Sequence, residues 1–190
     1  MQKFINYIRK YVNLTEDEVY LLQHSFEVIE LHPNETFFSQ GQLANEIYFV
    51  LQGWIRLFYN VEIEDKTAFF YKQGQFICAG ESYNNATPAL ENYQAITNSH
   101  ILILTREKIE ELLTHYPKLE EIGRIAVENE LIASQKVIAS FVTQTAEERY
   151  LHLLENDRAL FQEVPQHYIA SYLGISPETL SRIKSRILKK

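Results

Sequence analysis

The residues best suited to chemistry lie close together near the C-terminus. They are short polar and charged side chains on one side of a predicted helix: Ser176, Pro177, Glu178, Thr179, Ser181, Arg182, Lys184, Ser185 and Arg186. A glutamate can accept a hydrogen bond from cytosine, an arginine can donate two bonds to guanine, and lysines bond phosphates. We therefore expect Glu178 and Arg182 to read bases in double-stranded DNA. Phosphate contacts are expected from Ser176, Thr179, Lys184 and Arg186.

The same stretch carries the local signals of two short helices joined by a tight turn. Pro165 suits the first turn of a helix that runs to about Leu173, and Gly174 suits the left-handed position that ends it. Ser176 can cap the next helix, and Pro177 suits its first position. Small or apolar residues supply the buried faces: Ile169, Ala170, Leu180, Ile183 and Ile187. Such hairpins also occur in ordinary bundles, but the polar and basic outer face favours a DNA-binding helix-turn-helix.

Residues for catalysis or metal binding are not grouped in this sequence. None of the six histidines lies within two residues of another, unlike the metal site of a cupin enzyme. There is no Gly-x-Ser-x-Gly motif. The single cysteine, Cys78, cannot form an internal disulfide or hold an iron–sulfur cluster, and a small buried hydrophobe is its simplest interpretation. We therefore predict no enzyme, no metal and no cofactor.

The net charge of −7 is distributed unevenly. Residues 165–190 contain five Lys or Arg and one Glu, which gives +4 and leaves −11 for the rest of the chain. This asymmetry predicts a small basic module on an acidic carrier. The first ten residues do not read as a secretory signal, and no run of about 18 apolar residues predicts a membrane span. We expect a cytoplasmic protein without membrane contact.

The elements that must position the basic module are short strands followed by helices. Aromatic and β-branched runs separated by turns predict strands at 36–38, 46–51, 54–59, 67–71, 75–79, 93–97 and 101–104. A helix over residues 118–143 has an apolar seam that favours pairing with a second copy, or packing on its own barrel. The predicted dimer interface comprises Ile122, Ile125, Ala126, Asn129, Ile132 and Ala133. The predicted divisions are a sensor at 1–117, a dimerisation helix at 118–143 and a DNA-binding domain at 144–190.

The chain resembles the catabolite activator/fumarate-nitrate regulator (Crp/Fnr) family of bacterial transcription regulators over nearly its whole length. The resemblance lies in Gly41 with residues 46–56, in 80–82, in the long helix and, most specifically, in 170–182. It implies an α+β fold with an N-terminal cyclic-nucleotide-binding-like β-barrel (a jelly roll), a dimerisation helix and a C-terminal helix-turn-helix. It also implies a homodimer on double-stranded DNA, controlled by a ligand in the barrel, with RNA polymerase as a further candidate partner.

The chain departs from the family pattern in its DNA-reading residues. By resemblance, the family's arginine, glutamate and second arginine fall at Pro177, Glu178 and Arg182, so the first arginine is missing. The preferred DNA sequence should therefore differ. The sequence also ends close behind this helix, which leaves no room for the family's two-stranded wing. We expect Lys189 and Lys190 to replace its backbone contacts, or those contacts to be absent.

The chain also departs from the family's cyclic-nucleotide motif. Gly80 and Glu81 match a glycine-glutamate pair that contacts ribose, but Ala89 and Leu90 stand where the family has arginine and serine. Without a cation, the desolvation of a cyclic phosphate is poorly compensated, so cyclic AMP and cyclic GMP are not expected. The candidate ligand-binding residues for an unidentified effector are Gly80, Glu81, Ser82, Ala89 and Leu90. An aromatic cluster could line an apolar pocket or form ordinary core: Phe69, Phe70, Tyr71, Phe76 and Tyr83.

The sequence thus predicts a homodimeric, sequence-specific DNA-binding transcription regulator. The alternative is a ligand-binding or protein-interaction module whose DNA binding is weakened. That alternative predicts a stable dimer with weak and unselective affinity for DNA.

Overall fold

The structure, a computed structural model, describes residues 1–187. Its eight strands are β1 (Glu27–Leu31), β2 (Thr36–Phe38), β3 (Glu46–Gln52), β4 (Trp54–Val61), β5 (Glu64–Lys72), β6 (Phe76–Ile77), β7 (Asn92–Ala95) and β8 (Ser99–Thr105). They form two antiparallel sheets, in the orders β1-β8-β3-β6 and β2-β7-β4-β5. The predicted closed barrel is therefore wrong, because each sheet keeps two edge strands. The fold is a β-sandwich with helices, which is the α+β class that the sequence predicts.

The first sheet is buried on both faces, because successive side chains of a strand point to opposite sides of the sheet. In β3, Tyr48 and Val50 point between the sheets, whereas Phe49 and Leu51 point to the helices outside. This is why the strand reads as a continuous apolar run. At the β3–β4 turn, Gly53 has a φ of 91° and lies so close to the β7–β8 turn that a side chain would collide with its backbone.

Helices cover the outer face of the first sheet. They are α1 (Gln2–Ile8), α2 (Glu16–Ser25) and α4 (Arg106–His115), followed by a 3-10 turn (Pro117–Leu119). A short helix, α3 (Gly80–Asn85), joins β6 to β7. A capping box begins α2, because the side chains of Thr15 and Glu18 each bond the backbone of the other.

The remaining helices lie at the C-terminal side. The long helix predicted at 118–143 is confirmed as α5 (Glu120–Thr143). It is followed by α6 (Ala146–Asn156), α7 (Arg158–Glu163), α8 (Gln166–Tyr172) and α9 (Pro177–Ile187). Of these, α7 is a short helix of six residues. None of the helices within residues 1–187 combines the length and apolar character needed to cross a membrane.

Three apolar cores organise these elements. One fills the space between the sheets, and a second lies between the first sheet and α1, α2, α4 and the start of α5. The third joins the outer face of the second sheet to α6–α9 through Trp54, Phe70 and Ile96. The C-terminal helices therefore pack on the sandwich and share a core with it.

Candidate nucleic-acid interface

The turn between α8 and α9 has the geometry predicted from its glycine. Gly174 has a φ of 69°, and the amide of Ile175 donates to the carbonyl of Ala170 at 3.0 Å, which closes the end of α8. A side chain at position 174 would also meet the ring of Phe141 at 2.9 Å. Both the backbone angle and this close approach favour glycine.

The start of α9 is capped where the sequence predicts it. The Ser176 hydroxyl accepts a hydrogen bond from the amide of Thr179 at 3.3 Å. Behind the cap, α9 buries Leu180 and Ile183 against Ile169 of α8. This buried face fixes the rotation of α9 and directs its opposite face away from the core.

The predicted DNA contacts lie together on the remaining surface of α9. Seven of them are exposed: Ser176, Pro177, Glu178, Ser181, Arg182, Ser185 and Arg186. Thr179 and Lys184 are half-buried at the edges of this face. We call these nine residues the polar face of α9. The predicted basic tail, Lys189 and Lys190, lies outside the described residues.

The charged groups at the start of α9 are positioned by neighbouring side chains. A hydrogen bond from Ser176, the backbone amide of Glu178 itself and the nearby charge of Arg182 lower the pKa of Glu178. The carboxylate is therefore ionised at neutral pH and can only accept hydrogen bonds. The Arg182 guanidinium donates to the Thr179 hydroxyl at 3.1 Å, which holds it over the first turn of the helix.

Further along α9, two cations are held by weak surface contacts. Lys184 donates to the side-chain oxygen of Gln166 at 2.9 Å, and Arg186 forms an exposed ion pair with Glu147 at 2.7 Å. Exposed pairs of this kind contribute little to stability, so an approaching phosphate can displace them.

A buried arginine of the sandwich anchors α8. The guanidinium of Arg56, on β4, donates to both carboxylate oxygens of Asp65 at 2.6 and 2.8 Å and to the amide oxygen of Gln94 at 2.8 Å. Its flat face lies 3.8 Å from the ring centre of Tyr168, on α8. The hydrogen bonds from Arg56 lower the pKa of Asp65. No local pattern in the sequence connects Arg56 with the C-terminal helices.

A second contact ties α8 to the adjacent strand. The amide of Thr67, in β5, donates to the hydroxyl of Ser171 at 2.9 Å. Because α9 packs on α8, the orientation of its polar face depends on the β4–β5 hairpin.

The residues predicted to bind a ligand do not converge on one cavity. Ser82 is buried and accepts a hydrogen bond from the amide of Ala44 at 2.8 Å, so its hydroxyl has a structural role. Glu81 and Leu90 are exposed, and Ala89 belongs to the core between the sheets. Only Gly80 borders a pocket, which is described below. Local sequence could not reveal this, because the arrangement depends on how the sheets are filled.

Aromatic rings occupy the space between the sheets. Tyr71 and Tyr93 are almost fully buried there, with ring centres 6.2 Å apart, and Phe38 lies 5.8 Å from Tyr93. The Tyr93 hydroxyl donates a hydrogen bond to the carbonyl of Cys78 at 3.0 Å. The apolar Ala89 stands where the resemblance places the arginine of the nucleotide site. These residues do not fit a cyclic nucleotide.

The predicted aromatic cluster is divided among different environments. Phe69 and Tyr71 contribute to the core between the sheets, whereas Phe70 faces Tyr172 on the outside. Phe76 and Tyr83 line the pocket described below.

The lone cysteine is held in its neutral form. Burial raises the pKa of the Cys78 thiol to about 12, so little reactive thiolate forms at neutral pH. Within residues 1–187, no three histidine, cysteine or acidic side chains are grouped so that they could hold a metal ion.

The predicted dimer residues of α5 differ in accessibility. Ile122 is buried against its own sandwich, Ile125, Ala126 and Ala133 are half-buried, and Asn129 and Ile132 are exposed. A different set of exposed apolar side chains also forms a stripe along this helix: Val127, Leu131, Ile138 and Phe141, with the half-buried Ser134 between them. Their spacing of four, three, four and three residues matches a coiled-coil seam.

Comparison with protein families identifies a cyclic nucleotide-binding domain at residues 28–116. The transcriptional activator protein Anr from Pseudomonas protegens is 23% identical over 168 residues, which span 82% of this chain and 68% of that protein. The lysophospholipase NTE1 from Candida glabrata is 32% identical over 75 residues. That match covers 38% of this chain but only 4% of the lysophospholipase.

Among solved structures, the chain is similar to FixK2 from Bradyrhizobium japonicum. The TM-score is 0.73 at 19% identity, and the match covers 86% of this chain and 85% of FixK2. At this identity the similarity shows a shared fold, which extends beyond the sandwich.

Proposed function

Since the chain is a Crp/Fnr-like protein with a cyclic nucleotide-binding domain, we propose that it is a DNA-binding transcription regulator that acts as a homodimer. The observation that carries this proposal is the polar face of α9. That face is directed outward by a capped, buried helix pair, and it presents an ionised Glu178 beside Arg182. The similarity to the activator Anr from Pseudomonas protegens supports the same function.

The α8–α9 pair is proposed to act as a helix-turn-helix, with α9 in the major groove. Glu178 would accept a hydrogen bond from cytosine, and Arg182 would exchange its bond to Thr179 for two bonds to guanine. Lys184 and Arg186 would leave their weak surface partners for phosphates. Pro177 offers no hydrogen-bond donor at the position of the family's first arginine, so each copy would read fewer bases.

Dimerisation is proposed to occur through the exposed apolar stripe of α5. A second copy would cover Val127, Leu131, Ile138 and Phe141 and place the two α9 helices symmetrically. Two-fold symmetry predicts a palindromic site with half-sites about one helical turn, roughly 34 Å, apart.

The test is selection of bound fragments from a random duplex library, followed by titration of the selected duplex at several salt concentrations. Arg182→Ala is compared with Arg158→Ala, which removes an exposed arginine from α7. We expect a palindrome to be enriched. Arg182→Ala should weaken its binding by about tenfold or more and relax selectivity at one base pair, whereas Arg158→Ala should have little effect.

The other outcomes separate this proposal from its alternative. A stable dimer that enriches no sequence at any salt concentration would contradict the proposal and favour a ligand-binding or protein-interaction module. An equal loss for both arginine variants would show that binding depends on overall charge and not on the polar face of α9.

A further inference from the structure

A large apolar pocket lies outside the sandwich, between the helices that cover the first sheet and α5. Its volume is about 620 Å³, which is in the range of small-molecule sites. Its walls come from several helices and strands, and they include Ile8 of α1, Phe76 of β6, Leu104 of β8, Leu112 of α4 and Ile122 of α5. The aromatic core between the sheets reaches the wall of this pocket through the hydrogen bond from Tyr71 to Glu130.

The wall of this pocket carries two acids, of which Glu120 is exposed and Glu130 is partly buried. Glu130 extends from α5, and one of its oxygens accepts a hydrogen bond from the Tyr71 hydroxyl at 3.0 Å. Burial raises the pKa of Glu130, and the bond from Tyr71 offsets this only in part. Within residues 1–187, no lysine, arginine or histidine forms an ion pair with this carboxylate.

A carboxylate in apolar surroundings without a cation is unfavourable, and a bound cation would relieve this. The remaining walls offer chiefly hydrocarbon, so the rest of the ligand must be apolar. The site therefore selects for two features at once, an apolar body and a positively charged head.

We propose that this pocket binds a small amphipathic amine, with its apolar body among the helices and its ammonium group on Glu130. Val127 and Leu131 belong both to the pocket wall and to the stripe proposed for the second copy, so the partner helix would lie beside the mouth. Binding of the amine does not require that the protein bind DNA, and the two proposals fail separately.

The test compares decylamine, decanol and decanoate by calorimetric titration of the full chain, below the concentrations at which they aggregate. The three probes share one alkyl chain and differ in the head group. We expect decylamine to bind about tenfold more tightly than decanol, because a charge-assisted bond replaces a neutral one, and decanoate to bind most weakly.

Three variants locate the site. Glu130→Gln should remove the preference for decylamine and keep the binding of decanol. Glu128→Gln is the matched control, because Glu128 lies on the same helix but pairs with Arg124 outside the pocket. Gly123→Leu should weaken all probes by about tenfold or more, since Gly123 lines the pocket and a Cβ added there has no heavy atom within 4 Å.

Gly123→Leu is not expected to unfold the protein, because glycine is the weaker helix former of the two. Equal affinities for the three head groups, or an amine preference that persists in Glu130→Gln, would overturn the proposal. The proposal would also be overturned if none of the probes binds and Gly123→Leu changes the stability of the dimer. That result would show that the second copy occupies the pocket.

Discussion

At the scale of single residues, Arg56 connects several parts of the structure. Its guanidinium is buried, bonds Asp65 and Gln94, and stacks on Tyr168. Arg56→Met keeps much of the side-chain volume but leaves Asp65 and Gln94 without their donors. We expect the free energy of unfolding to fall by about 2 kcal/mol, a reduced figure because Asp65 is partly exposed.

The measurement is chemical denaturation at neutral pH, followed by the fluorescence of Trp54, the one tryptophan in the chain. Lys66→Met serves as the control, since Lys66 forms an exposed pair with Glu64 and influences Asp65 through its charge. A loss of stability as small as that of the control would show that Arg56 is not structurally important.

The same variant has a predicted pH dependence. The pKa of Asp65 is lowered in the folded protein from its ordinary value of 3.8, so its ionised form stabilises the fold above about pH 4. This contribution disappears as the pH falls through the lowered pKa, because the carboxylate is then protonated in both states. The stability difference between wild type and Arg56→Met should be constant from about pH 5 to 7 and should narrow below about pH 4.

The residues that could be predicted from sequence are those whose roles depend on near neighbours. Gly174 and Ser176 end and begin helices through contacts within five residues, and both were identified correctly. Arg56 contacts Tyr168 across more than one hundred positions, and no local pattern reports such a contact. The contribution of Glu130 depends on the same kind of distant packing.

At the scale of elements, α5 presents two apolar stripes that can be tested against each other. The sequence predicts an interface that contains Ile132, whereas we propose the stripe that contains Ile138; both side chains are exposed. Ile132→Lys and Ile138→Lys place the same charge six residues apart on one helix. We expect Ile138→Lys to raise the dimer dissociation constant about a hundredfold, because it buries a charge in the proposed seam, and Ile132→Lys to change it little.

Sedimentation velocity over a range of protein concentrations measures both variants. If only Ile132→Lys dissociates the dimer, the interface is the one predicted from the sequence. A monomeric wild type would contradict dimerisation by either stripe.

The elements that sequence missed lack strong local signals. In β1 only Leu31 of its five residues is buried, so the strand shows little apolar alternation, and it is held by pairing with β8. No side chain caps α1, and α7 has only six residues. By contrast, α2 and α6 begin with capping boxes at Thr15 and Thr145, which are strong local signals for the start of a helix.

At the scale of the whole molecule, one apolar core extends across the predicted domain boundary at residue 144. Trp54 and Phe70 of the sandwich share one apolar cluster with Ile169 and Leu180 of the C-terminal helices. The predicted ligand site also depends on distant packing. Whether residues 80–90 can receive a ligand depends on the rings that the second sheet directs inward, and a motif read along the chain does not include them.

This shared core predicts that the stability of the C-terminal helices depends on their docking on the sandwich. Tyr168→Leu removes the ring that stacks on Arg56 but keeps an apolar side chain among the core residues around it. A desolvated cation–π contact contributes about 2 kcal/mol, so the amides of α8 and α9 should exchange with deuterium about tenfold faster or more. Those of β3 and β8, whose core lies on the far side of the sandwich, should be unchanged. His167→Leu controls for the loss of an exposed ring on the same helix. Unchanged exchange in α8 and α9 would mean that their own hairpin contacts suffice, and the β4–β5 hairpin would then have no influence on the orientation of α9.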